Sequence, residues 1–157
     1  MAAPTPSQTI GPFFHLILGS PGPARMVGDD HPGATALSGR VLDGAGDGVS
    51  DALVELWDGE HFARCHTETD GGFSFLVAKP PPVDGAPHFA VSVFARGLLG
   101  RLVTRCYFPD EAANATDPVL AAVAADRRAT LIAAPGSDGL RFDIYLQGDR
   151  ETVFFAL

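Results

Sequence analysis

The stretch Leu140-Arg141-Phe142-Asp143-Ile144-Tyr145-Leu146-Gln147 decides the fold class. Leu140, Phe142, Ile144 and Leu146 alternate with Arg141, Asp143, Tyr145 and Gln147, a period of two that puts the apolar set on one face of a sheet. It is the clearest strand in the sequence. Outward from it, Leu102 to Phe108 and Phe89 to Ala95 are rich in β-branched and aromatic residues, which suit a half-buried pleated surface, and they read as adjacent strands. Thr69-Asp70-Gly71-Gly72 makes a turn before Phe73-Ser74-Phe75, its Asp and Gly supplying positive φ, and the strand runs to Val77. Leu37 to Leu42, the turn residues Asp43 to Gly48, and Ala52 to Trp57 read as a hairpin.

Only Asp117 to Ala125 has a helical pattern, with Asp117 as N-cap, Pro118 at the first helical position, and Leu120 and Val123 three apart. Short strands separated by Gly- and Pro-rich turns favour an all-β fold, an antiparallel β-sandwich with one short helix, because a parallel α/β sheet needs helical crossovers. Thr5 to Pro12 carries Pro, Ser, Thr and Gly that exclude a helix, so it should lie extended as an N-terminal arm. The Pro/Gly-rich stretches Gly19 to Gly33 and Lys79 to Pro87 are too short to separate domains. We expect a single domain over residues 1–157, with 1–36 as arm and loop.

The 157 residues suffice for one core, burying roughly 70% of the surface the unfolded chain exposes. Hydrophobic residues at 46% and charged residues at 19% mark a folded chain, and eleven Phe supply bulky core material. A net charge of -8 repels nucleic acid and anionic lipid. The first nine residues lack the basic and apolar regions of a secretory signal, and no run approaches the ~20 apolar residues that span a bilayer, so a cytoplasmic, soluble protein is expected. Cys65 and Cys106 are too few for a disulfide scaffold and read as small buried hydrophobes.

The usual catalytic patterns are absent. No serine sits in G-x-S-x-G, and no Gly-rich loop suits a phosphate. His61, Cys65 and His66 have zinc-ligand chemistry, but no second pair completes four ligands, and they read as surface residues on a loop. His15 and His31 read as solvated loop histidines, and Tyr107 and Tyr145 as half-buried sheet residues with hydroxyls at the rim.

Several motifs together resemble the intradiol ring-cleavage dioxygenases, and among them the alpha subunits of the protocatechuate-cleaving branch. They are Thr5 to Phe13, Ala52 to Trp57, Ala86-Pro87-His88-Phe89, Phe94-Ala95-Arg96-Gly97, Thr104 to Phe108, Arg141 to Ile144, and Gln147-Gly148 with Glu151 to Phe155. The resemblance implies a β-sandwich, as the periodicity does. Catalytic members hold Fe(III) with two Tyr and two His, phenolates stabilising the ferric state. At the matching positions this chain has His88 and Ala90 for the H-x-H pair, Val83 after Lys79-Pro80-Pro81-Pro82, and Phe62.

At most one of four ligands survives, so the resemblance implies a non-catalytic alpha subunit that binds no metal, with Fe(III) on a partner beta subunit of a hetero-oligomer. It further implies that Gly11 and Pro12 of the arm line the partner's substrate pocket. Arg96 would stand at the pocket mouth, where a guanidinium orients an aromatic carboxylate. The implied reaction is cleavage of protocatechuate by O2 between its hydroxyl-bearing carbons, giving 3-carboxy-cis,cis-muconate. The segments Trp57 to Thr69 and Gly19 to Leu37 are shorter than is usual in the family. Two rival readings are an independent enzyme with zinc at His61, Cys65 and His66, and a stand-alone binding module of the same sandwich class.

Overall fold

A computed structural model describes residues 6–11, 13 and 24–156 of the chain. Ten strands, β1 (Ala24–Arg25), β2 (Thr35–Leu42), β3 (Leu53–Trp57), β4 (Phe62–His66), β5 (Gly72–Val77), β6 (His88–Phe94), β7 (Leu102–Tyr107), β8 (Ala134–Pro135), β9 (Gly139–Arg141) and β10 (Ile144–Tyr145), form two sheets among the described residues. One sheet has the order β1-β5-β2-β9-β8 with β10 also on β2, and the other β4-β3-β6-β7. A single α-helix among them, α1 (Pro118–Ala122), lies between two short 3-10 turns. The all-β sandwich expected from the alternation is therefore the observed fold. Its first sheet mixes antiparallel β2–β5 with parallel β2–β9 and β2–β10 pairs.

The alternation of β5 and β6 is visible in their burial. Phe73, Phe75 and Val77 are buried with Phe89, Val91 and Val93, and the two inner faces form one core. Burying a Phe or Val side chain contributes about 1.5–3 kcal/mol, so these six hold the sheets together. Cys106 lies in that core and Cys65 packs against its edge. Burial pushes both thiols up.

Five expectations are corrected. The expected hairpin of Leu37–Leu42 with Ala52–Trp57 does not form. Val49 N–H does donate to Val41 O at 2.9 Å, but the chain then crosses to the other sheet, where β3 pairs with β4 and β6. Both edges of β2 are already taken, by β5 and by β9–β10. Thr67 fixes the crossing, accepting from Ala52 N–H at 3.0 Å and donating to Val49 O at 2.7 Å.

The Leu140–Gln147 strand is interrupted between β9 and β10. At that point Arg40 N–H donates to the Asp143 carboxylate at 3.0 Å, a side chain standing in for the ladder carbonyl. Gly39 is needed there, since a Cβ would lie 1.9 Å from Phe142 O. Cys65 and His66, expected on a loop with His61, belong to β4, whose Arg, Cys and His mask the alternation, while His61 lies just before that strand. Tyr107, expected to be half-buried, is fully buried.

The predicted helix is shorter than expected but capped as expected. Asp117 accepts from Val119 N–H and Leu120 N–H. Its other carboxylate oxygen accepts from Ala86 N–H at 2.9 Å, tying the helix to the segment before β6.

Candidate functional site

The two sheets leave the outer face of the β4-β3-β6-β7 sheet partly uncovered. Register aligns Phe62, Trp57, Ala90 and Arg105 in one row across four strands, so all four share that face. One row away, His88 faces Tyr107, with rings 5.1 Å apart. Tyr107 is covered by Ala86, Leu120 and Leu131. Between this covered end and the strand edge lies a cleft of about 220 Å³ lined by Trp57, Pro81, Val83, His88, Ala90 and Arg105.

Three of the four positions that match the family's iron ligands, Val83, His88 and Ala90, line this cleft, and Phe62 stands beside Trp57 at its rim. Positions scattered over the sequence thus converge on one place in the fold. The donor set there does not fit a ferric ion. Val83, Ala90 and Phe62 offer no donor atom. His88 Nδ1–H donates to Ala86 O at 2.8 Å, and burial followed by the Arg105 charge holds the imidazole below the usual histidine range. The guanidinium of Arg105 adds positive charge where a cation would sit.

A buried polar network supports the cleft floor. Arg105 Nη1 donates to the Tyr107 hydroxyl at 3.0 Å, and that hydroxyl donates to Asp117 Oδ1 at 3.1 Å. Burial raises the Asp117 carboxyl, but Leu120 N–H, Ala86 N–H, the Tyr107 hydroxyl and Val119 N–H outweigh it and hold it below the usual carboxylate range. Arg105 lies within the Thr104 to Phe108 motif, but the sequence assigns a role neither to its side chain nor to this second function of Asp117. The available signal is Arg105 set between Thr104 and Cys106 in a strand whose alternate residues are buried.

The residues assigned to a partner's pocket lie elsewhere. Arg96 follows β6, up to roughly 26 Å along the chain from His88 at about 3.3 Å per residue. Its side chain is exposed and ion-paired with Asp51. Gly97, at φ +88°, donates its N–H to Thr9 Oγ1 at 2.9 Å. The arm thus lies beside Arg96, and Gln8 and Ile10 border a cavity of about 240 Å³ with Phe94, Leu98 and Arg101. Gly11 is exposed, with nothing near the position of a Cβ. Pro12, like His15, lies outside the described residues.

His61, Cys65 and His66 are spread rather than gathered. His61 Nδ1 meets Asp58 at 3.2 Å, while Cys65 and His66 are consecutive on a strand and face opposite ways. Among the described residues no group of three or more His, Cys, Asp or Glu is placed to hold a metal ion. No helix among them is long and apolar enough to cross a membrane.

A two-sheet sandwich of this kind is the fold of the dioxygenase domains to which the chain is similar. No family model matches the chain. A protocatechuate 3,4-dioxygenase alpha chain from Burkholderia cepacia is 40% identical over 191 aligned positions, covering 96% of each chain. The beta chain of that name from the same organism is 30% identical, covering 90% of this chain and 75% of its own. The dioxygenase domain of a dioxygenase–carbohydrate-binding fusion from Streptomyces sp. SirexAA-E superposes with a TM-score of 0.64 at 26% identity, covering 93% of this chain and 99% of that one. The chain belongs to the family of protocatechuate 3,4-dioxygenase alpha chains. The first alignment is longer than the chain itself, so this chain lacks residues that the relative has.

Proposed function

We propose that this chain is the non-catalytic alpha subunit of a cytoplasmic protocatechuate 3,4-dioxygenase, a single sandwich domain whose residues 1–36 are arm and loop. Its partner is a beta chain that holds Fe(III). Iron held by the partner would supply the activation of a bound catecholate toward O2, and this chain's part is to complete the pocket. Gly11 and Pro12 bring compact backbone against the aromatic ring, and Arg96 orients the carboxylate of protocatechuate. The product is 3-carboxy-cis,cis-muconate.

The observation that carries this reading is the cleft itself: of the positions that the resemblance matches to iron ligands, Val83, His88 and Ala90 line it and Phe62 stands at its rim, with a single imidazole among them. The arm and Arg96 are meanwhile fastened together at the other end of β6, where they are available to a neighbour.

Co-expression with a beta chain tests it. The complex should contain iron and consume O2 in the presence of protocatechuate, while this chain alone does neither. Stoichiometric iron and turnover in this chain alone would overturn the proposal.

A further inference from the structure

Arg105 has no role in the function proposed above. It lines a concave site, and its one hydrogen bond among the described residues goes to the Tyr107 hydroxyl, a neutral group. Arg25, Arg40, Arg64, Arg96 and Arg141 each reach a carboxylate in an ion pair, whereas Arg105, like Arg101, Arg127, Arg128 and Arg150, makes none among the described residues; of these five, Arg105 is the one that lines this cleft. A guanidinium has five N–H donors in a planar fork that matches a carboxylate, so most of its donor capacity is uncommitted.

The cleft's own carboxylates do not fill that gap. Asp58 Oδ1 accepts from Glu60 N–H at 2.9 Å and His61 N–H at 2.6 Å, and Oδ2 meets the His61 ring. Asp84 lies at the exposed rim, in a left-handed backbone conformation. Of the remaining walls, Trp57 on one side and Pro81 and Val83 on another are apolar, and His88 presents an imidazole whose Nδ1 is already engaged by Ala86 O. The space between Trp57 and Arg105 exists because their shared cross-strand neighbour is Ala90.

Size narrows the ligand. Sites for drug-sized molecules measure about 300–1,000 Å³, and this cleft is about 220 Å³. It takes a single ring. We infer that the cleft of Trp57, Ala90 and Arg105 is a binding site, on this chain itself, for a small aromatic carboxylate, the ring against Trp57 and the carboxylate on Arg105. Such a site needs neither the partner chain nor iron.

Trp57 is the sole tryptophan of the sequence, so its fluorescence reports on the cleft directly. The full chain is titrated with sodium benzoate at constant ionic strength. A saturable change in the millimolar range is expected, as suits one bidentate pair in an open cleft. Benzamide, which lacks the charge, and acetate, which lacks the ring, should each bind at least tenfold more weakly.

Arg105→Gln should weaken benzoate at least tenfold, and Ala90→Leu, which fills the cleft without touching Arg105, should abolish saturation. Circular dichroism checks the fold of each variant, and the second variant decides the matter where loss of the Tyr107 contact unfolds the first. No saturation with benzoate, unchanged binding in either folded variant, or equal binding of acetate would overturn the inference.

Discussion

The Gly97 N–H and the Thr9 hydroxyl, 88 positions apart in sequence, are joined by a 2.9 Å hydrogen bond that fastens the arm to the turn bearing Arg96. One neutral hydrogen bond contributes about 1 kcal/mol. Thr9→Val should therefore raise the KM for protocatechuate of the assembled enzyme about fivefold, leaving iron content unchanged. Steady-state kinetics and elemental analysis read this out, and an unchanged KM would uncouple arm and turn.

Gly11→Leu separates a role toward a partner from a role within the chain. Nothing among the described residues approaches the position of a Cβ at Gly11. The isolated variant should melt with the native chain, and the complex should show a raised KM. A fall in Tm of the isolated chain would place the restriction inside the subunit instead.

Arg96→Ala should raise KM about tenfold for a carboxylated catechol and leave that for catechol itself unaltered, because only the former presents an anion to the guanidinium. The pair with Asp51 is exposed on the arginine side. The discrimination should accordingly weaken as salt rises toward 1 M, where the Debye length falls to about 3 Å. Equal effects on both substrates would dismiss the electrostatic role.

Asp117→Ala removes one acceptor pair from Ala86, Val119, Leu120 and Tyr107 together. Unsatisfied buried donors and a lost cap cost about 3 kcal/mol, or about 6–12 °C in Tm for a chain of this length. The carboxyl is depressed in the folded state, so its contribution is complete above the unfolded value of about 3.9 and is lost as pH falls through the folded value. Thermal melts from pH 6 to 3 should show a steeper decline below about pH 4 for the native chain than for Asp117→Asn. Parallel curves would contradict the assignment.

Gly39→Ala places a methyl group 1.9 Å from the Phe142 carbonyl oxygen and 2.7 Å from the Phe73 ring. Backbone cannot yield as a flexible side chain can, and we expect several kcal/mol of destabilisation, visible as a loss of soluble protein or a large fall in denaturation midpoint. A native-like midpoint would mean that the β2–β9–β10 junction is slack.

The sandwich is legible in the sequence because period-two alternation is a local property, and Phe73 to Val77 and Phe89 to Val93 carry it plainly. Pairing partners are not local. Nothing in Asp43 to Gly48 announces that both edges of β2 are claimed by residues far along the chain, so a turn that looks like a hairpin becomes a crossing between sheets. At the site, the resemblance points to Phe62, Val83 and Ala90 as places that lack a donor, and the fold brings them to one cleft and its rim. Arg105 is not legible, because its meaning lies in sharing a cross-strand row with Trp57 and Ala90, a relationship that register creates.

The distant partners of β2 also bear on biosynthesis. Arg40 receives its Asp143 partner from 103 positions downstream. At about 5–20 residues per second a ribosome needs roughly 5–20 s to supply it, and through that interval one side of β2 waits unpaired. Unpaired edges recruit foreign strands, so the nascent chain is most vulnerable to co-aggregation before its last quarter emerges. Slowed elongation between residues 78 and 138, after β5 is made and before β9 emerges, should lower the soluble yield more than slowing after residue 145.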